Sequence, residues 1–170
     1  MTTSPESPHS ARATLFINIA HFVDHFALLI FPTAVLVMGG EFGADYGERI
    51  LIATGSFLAF GVLSLPAGWL GDKWSRRHMM VVFFIGIGAA LFTAGLTTSS
   101  LGLIAALGIV GLFGAIYHPV GMALLVSVAG SSGKVIAWNG VYGNLGVAFA
   151  AITTAVIAEH FGWRTAFMVP

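Results

Sequence analysis

Charge is scarce in this chain. Seven Lys and Arg and seven Asp and Glu serve 170 residues, which is 8% of the sequence, and the net charge is zero. Soluble domains carry about 25% charged residues. So few charges cannot coat a water-soluble globule of this length. No basic tract exists, so nucleic-acid binding has no support. Cysteine is absent, which excludes disulfides and thiolate metal centres without identifying a compartment. No paired carboxylates, metal signature or nucleophile motif points to an enzyme, and no cofactor motif is present.

What is present is apolar. Hydrophobic residues make up 57% of the chain, and mean hydropathy is +0.92. The pattern implies an all-α, polytopic transmembrane helical bundle. Residues 1–12 are polar and read as a disordered leader, and residues 13–170 as the transmembrane domain. The first apolar run, residues 13–38, exceeds the 7–15 residues of a cleaved signal core. It meets the length of about 20 residues that a spanning helix needs. Spans are expected over about 14–38, 48–70, 78–96, 101–128 and 135–158. A sixth begins near 165 and is cut off at 170. Pro32, Pro66 and Pro119 fall inside spans, where neighbouring helices can satisfy the freed carbonyls. The short link 97–100 makes the third and fourth spans antiparallel neighbours.

Orientation follows from the cations. With the N-terminus inside, Arg12, Lys73, Arg76, Arg77 and Lys134 face the cytoplasm, and Arg49 and Arg164 face out. The positive-inside rule selects that arrangement. The leader is then cytoplasmic, and the loop carrying Glu41 and Asp45 lies outside.

Asp24 is the carboxylate deep within a span. Such a group costs about 2.5–3.5 kcal/mol on insertion scales, so its presence needs a reason. His21 and His25 flank it, and the spacing puts all three within about 100° of one helix face. The cluster suits proton coupling or a substrate charge. The alternative is a histidine-capped Asp that only fixes helix packing. The His21/His25 pair has the i, i+4 spacing of a metal pair. No further ligand stands nearby in sequence, so no metal site is assigned. His118, in Tyr117-His118-Pro119, lies on a stripe with Gly111, Gly114 and Gly121. It is expected to face the bundle, either toward the same cavity or bonded to a carbonyl loosened by Pro119. Asn139 and Asn144 sit among Gly140, Gly143 and Gly146. The glycines allow close helix approach, and the two amides are candidates for substrate contact.

The turn Gly68-Trp69-Leu70-Gly71-Asp72-Lys73-Trp74-Ser75-Arg76-Arg77 resembles the pattern G-x-L-A-D-R-x-G-R-R of the major facilitator superfamily. Gly68, Leu70, Asp72, Arg76 and Arg77 match. Gly71 stands for Ala, Lys73 keeps the charge, and Ser75 stands for Gly. Phe161-Gly162-Trp163-Arg164-x-x-Phe167 resembles the family's link from helix 5 to helix 6. Tyr117-His118-Pro119 and Asn139-Gly140…Gly143-Asn144-x-Gly146 resemble the fosmidomycin-resistance-type branch.

The resemblance implies the N-terminal six-helix half of a secondary active transporter that works by alternating access. It implies a small organic substrate, proton-coupled efflux, and a bacterial inner-membrane location. Gly68, Gly71, Asp72, Lys73, Arg76 and Arg77 would form a cytoplasmic gate motif, in which Asp72 with Arg76 and Arg77 makes a charge latch. Gly68 would permit close packing against an opposite half, supplied by the same gene or by a second chain. Two departures bear on coupling. Helix 4 has no Arg, and Ala150 and Ala151 stand where related carriers often place Pro. The competing expectations are a symporter importing a small metabolite, and a non-transporting half-carrier remnant or assembly component.

Overall fold

The computed structural model describes residues 8–39, 45–130 and 132–169. Among these residues all regular structure is helical. Five stretches are long and apolar enough to cross a membrane: Ser10–Ala34, Tyr46–Lys73, Arg76–Gly95, Ser100–Ala129 and Gly133–Phe161. The chain is therefore an all-α, multi-pass membrane bundle.

Helix α1 runs Pro8–Ala34. Its described part already begins inside the stretch expected as a leader. Residues 1–7 of that leader lie outside the described residues. At its other end, Leu36 and Val37 bond three residues back, to Thr33 and Ala34. The helix thus unwinds before the expected limit at 38. Glu41 also lies outside the described residues.

The second span begins at Asp45. Its carboxylate accepts from the Glu48 amide at 2.8 Å, and the Glu48 side chain accepts from the Asp45 amide at 3.2 Å. This reciprocal pair satisfies two amides that have no helical partner. The span divides at Ala53 into α2, Tyr46–Ile52, and α3, Thr54–Lys73. Ser75 caps α4, Arg76–Gly95, and Ser99 caps α5, Ser100–Gly114. A π turn, Tyr117–Gly121, separates α5 from α6, Met122–Ala129. Pro119 lies inside this turn and has no N–H to donate to a regular ladder. Ser132 caps α7, Gly133–Phe161, which closes at Gly162 with φ +85°. Only glycine adopts that backbone readily. The short α8, Trp163–Met168, docks on the end of α4. There Arg164 donates to the Thr97 carbonyl at 3.0 Å and lies 4.3 Å from the Trp163 ring centroid.

Helix α1 packs most extensively along α7, α3 along α5, and α4 along α5. Hydrophobic burial cannot drive these contacts in lipid, so close packing must. Glycines supply it. A Cβ at Gly111 would collide with the Ser56 carbonyl, at Gly86 with the Phe113 ring, and at Gly146 with the Phe22 carbonyl.

Candidate functional site

The α1–α7 seam and the π turn bring the polar groups of the spans together. Asn139 is the hub, only 1% exposed. Its side-chain amide donates to Asn18 Oδ1 at 2.8 Å. Its Oδ1 accepts from Tyr117 Oη at 3.0 Å. Its main-chain carbonyl accepts from His21 Nδ1 at 2.8 Å. Three elements are thus tied through one residue, and the Asn139 side chain has a partner for both its amide and its oxygen.

The bond to the Asn139 carbonyl fixes the His21 tautomer. A carbonyl only accepts, so Nδ1 carries the hydrogen, and Nε2 of the neutral ring keeps its lone pair. That Nε2 lies 3.1 Å from His25 Nε2, which donates to it. The His21 ring stacks on Tyr117, with centroids 4.7 Å apart. The rings of His25 and His118 stand edge-on to one another at 5.6 Å. One ring nitrogen from each of His21, His25 and His118 lies within 4.8 Å of the other two. The pair that sequence spacing left without a neighbour has a third imidazole beside it. His118 comes from the fourth span, and sequence spacing cannot show that neighbour.

Asp24 has 0% exposure. His21 and His25 pair with each other, and Asp24 instead faces His118, with Oδ2 3.4 Å from Nε2. Neither Asp24 oxygen accepts a hydrogen bond. Gly114 makes room for it: a Cβ there would stand 3.3 Å from Oδ1.

The two amides read together from the sequence separate in space. Asn139 is buried and Asn144 is exposed. Five residues at about 100° each turn the second about 140° from the first. Asn18 was not singled out by sequence reasoning. Its signal was available, because it precedes His21 by three residues and so shares its face.

At the end of α3, Asp72 and Arg76 form an exposed pair at 2.7 Å. Lys73 and Arg77 are exposed. The Cβ directions of the two glycines of this turn point at the π turn. A Cβ at Gly68 would lie 3.1 Å from Pro119 Cβ, and one at Gly71 would lie 2.8 Å from Val120 Cγ2. The turn thus touches the segment that carries His118. A cavity of about 660 Å³, lined by apolar side chains and Arg77, shares no lining residue with the polar cluster.

The sequence pattern of the Major Facilitator Superfamily matches residues 17–170. The chain is 31% identical over 99% of its length to a probable actinorhodin transporter of Streptomyces coelicolor, covering 30% of that protein. It is 30% identical over 69% of its length to the tetracenomycin C resistance and export protein of Streptomyces glaucescens, covering 22% of it. It is 28% identical over 70% of its length to the membrane sensor protein UhpC of Salmonella typhimurium, covering 27% of it. The chain spans less than a third of the length of these relatives.

Proposed function

Since this chain belongs to the Major Facilitator Superfamily, we propose that it forms the N-terminal half of a secondary active transporter that exports a small organic solute by alternating access, coupled to protons. Its role is transport and not enzymatic catalysis. The observation that carries this reading is Asp24, a fully buried carboxylate in the bundle interior whose oxygens accept no hydrogen bond. An intramembrane ionisable group of this kind is costly and marks a substrate or ion pathway. Asp24, His21, His25 and His118 form the coupling or substrate site, supported by Tyr117 and Asn139. Asn144 faces away from them and is assigned instead to a surface that a second half would cover. The names of the export and transporter relatives favour efflux.

Asp72, Lys73, Arg76 and Arg77 serve as the cytoplasmic latch. The five-to-two excess of Lys and Arg supports a cytoplasmic N-terminus. The bacterial relatives support an inner-membrane location.

The test is efflux by the full-length carrier in membrane vesicles with an imposed proton gradient, using tetracenomycin C as the first probe. Wild type should move the probe with the gradient, and Asp24→Asn should lose gradient dependence. Equal gradient-driven transport by both would remove Asp24 from this role. A second reading is a membrane component that transports nothing. The similarity to a membrane sensor protein favours it. Stable insertion with no flux of any solute in a broad screen would select it.

A further inference from the structure

The interior of this bundle holds a carboxyl group with no Lys or Arg opposite it, and its neighbour is His118, 3.4 Å away. Asp24 is fully buried and accepts no hydrogen bond. The Lys and Arg among the described residues lie at or near the ends of the helices: Arg12, Arg49, Lys73, Arg76, Arg77, Lys134 and Arg164. Beside Asp24 stand imidazoles. A neutral imidazole is a lone-pair donor and the commonest metal ligand in proteins.

Their geometry suits a metal ion. Two nitrogens bound tetrahedrally at about 2.0–2.1 Å from an ion lie about 3.3–3.4 Å apart. His21 Nε2 and His25 Nε2 are 3.1 Å apart. His21 is already oriented as a ligand, since its Nδ1 donates to the Asn139 carbonyl at 2.8 Å. Metal-bound histidines typically make that second bond, which fixes the ring and its tautomer. A ring nitrogen of His118 completes the triangle within 4.8 Å. The His118 side chain is 42% exposed, so it has room to rotate and close that distance.

We propose that His21, His25 and His118 bind one divalent transition-metal ion of the zinc class, with Asp24 as the neighbouring counter-charge. Three imidazoles leave a fourth tetrahedral position for water or a solute. Magnesium and calcium prefer oxygen ligands, whereas imidazole suits zinc, copper, nickel and cobalt. Binding requires the lone pair of His25 Nε2, so the hydrogen that His25 shares with His21 moves to His25 Nδ1. The ion would clamp α1 to the π turn. This site does not depend on proton coupling or on efflux, and it stands if the protein moves no solute.

The test uses the full chain purified in detergent, freed of any affinity tag and stripped of metal by chelator. Zn²⁺ is added and bound metal is counted after desalting. Co²⁺ is added separately and its visible absorption recorded. One Zn²⁺ per chain is expected, with the intense visible bands of tetrahedral cobalt. His25→Ala and His118→Gln should each weaken Zn²⁺ binding at least tenfold. His78→Ala and His160→Ala, outside the cluster, should not. Binding below stoichiometric, or six-coordinate cobalt in the wild-type protein, overturns the site whatever the variants do. Undiminished binding in folded His25→Ala and His118→Gln does the same.

Discussion

Gly143 lies against the imidazole of His21: a Cβ at that position would stand 2.7 Å from both Cε1 and Nε2. Gly140, three residues earlier on the same helix, has nothing within 4 Å of its own Cβ position. The two glycines therefore separate packing from propensity. Gly143→Ala should cost about 1–3 kcal/mol, the usual penalty of overpacking, and should displace His21. Gly140→Ala should be neutral or stabilising, because alanine favours helix. Thermal unfolding in detergent, followed by helical circular dichroism, checks the contrast. Equal effects would show that His21 is not held by the α7 backbone.

Asp24→Asn should raise the melting temperature of the bundle. It replaces a fully buried carboxyl whose oxygens accept no hydrogen bond with a group that cannot ionise, and gives up only the 3.4 Å approach to His118. Sites kept for function commonly gain stability when neutralised. A lower melting temperature would mean that Asp24 holds the bundle together and serves packing.

The Asn18–Asn139–Tyr117 chain should show coupled energetics. Tyr117→Phe and Asn139→Ala each break the bond at 3.0 Å. Their double-mutant cycle should give a coupling of about 0.6 kcal/mol and no more than about 1.7, the range seen for hydrogen bonds between membrane helices. Additive losses would mean that the phenol and the amide do not act together.

Asp72 and Arg76 sit with the wrong sign at their helix ends. Asp72 is in the last turn of α3, and Arg76 opens α4. Helix dipoles favour the opposite arrangement. The exposed pair contributes about 0.2–1 kcal/mol, which offsets that conflict. Asp72→Arg combined with Arg76→Asp should therefore be at least as stable as wild type. If the turn is a latch that recognises an opposite surface, the same exchange should abolish transport. Retained transport would show that the position of the charges matters and their sign does not.

Much of the fold was legible because a bilayer leaves few options. Apolar runs long enough to cross it, ended by Ser75, Ser99 and Ser132, mark the spans directly. The break at Ala53 and the π turn were not legible. Neither alters the apolar pattern, and Pro119 signals a disturbance without its form. The site was partly legible. Asp24, His21 and His25 stand out by cost alone, since each is polar where hydrocarbon is expected. Their partners are tertiary. The association of Asp24 with His118, and of His21 with Asn139, follows from how three helices cross. Asn144 shows the converse, since one glycine-rich stretch turned its two amides to different faces.

The π turn gives the fourth span a surplus residue. Five residues, Tyr117–Gly121, form a wider ring where a tighter α-helical turn would serve. Removing one residue from this stretch should leave α5 and α6 in phase. The same deletion elsewhere in the span would rotate all that follows by about 100°. The span is thus an ordinary helix with a single-residue insertion, and the inserted stretch carries the tyrosine, histidine and proline that face the interior. Length variation at this place can remodel the polar centre without disturbing how the bundle is assembled.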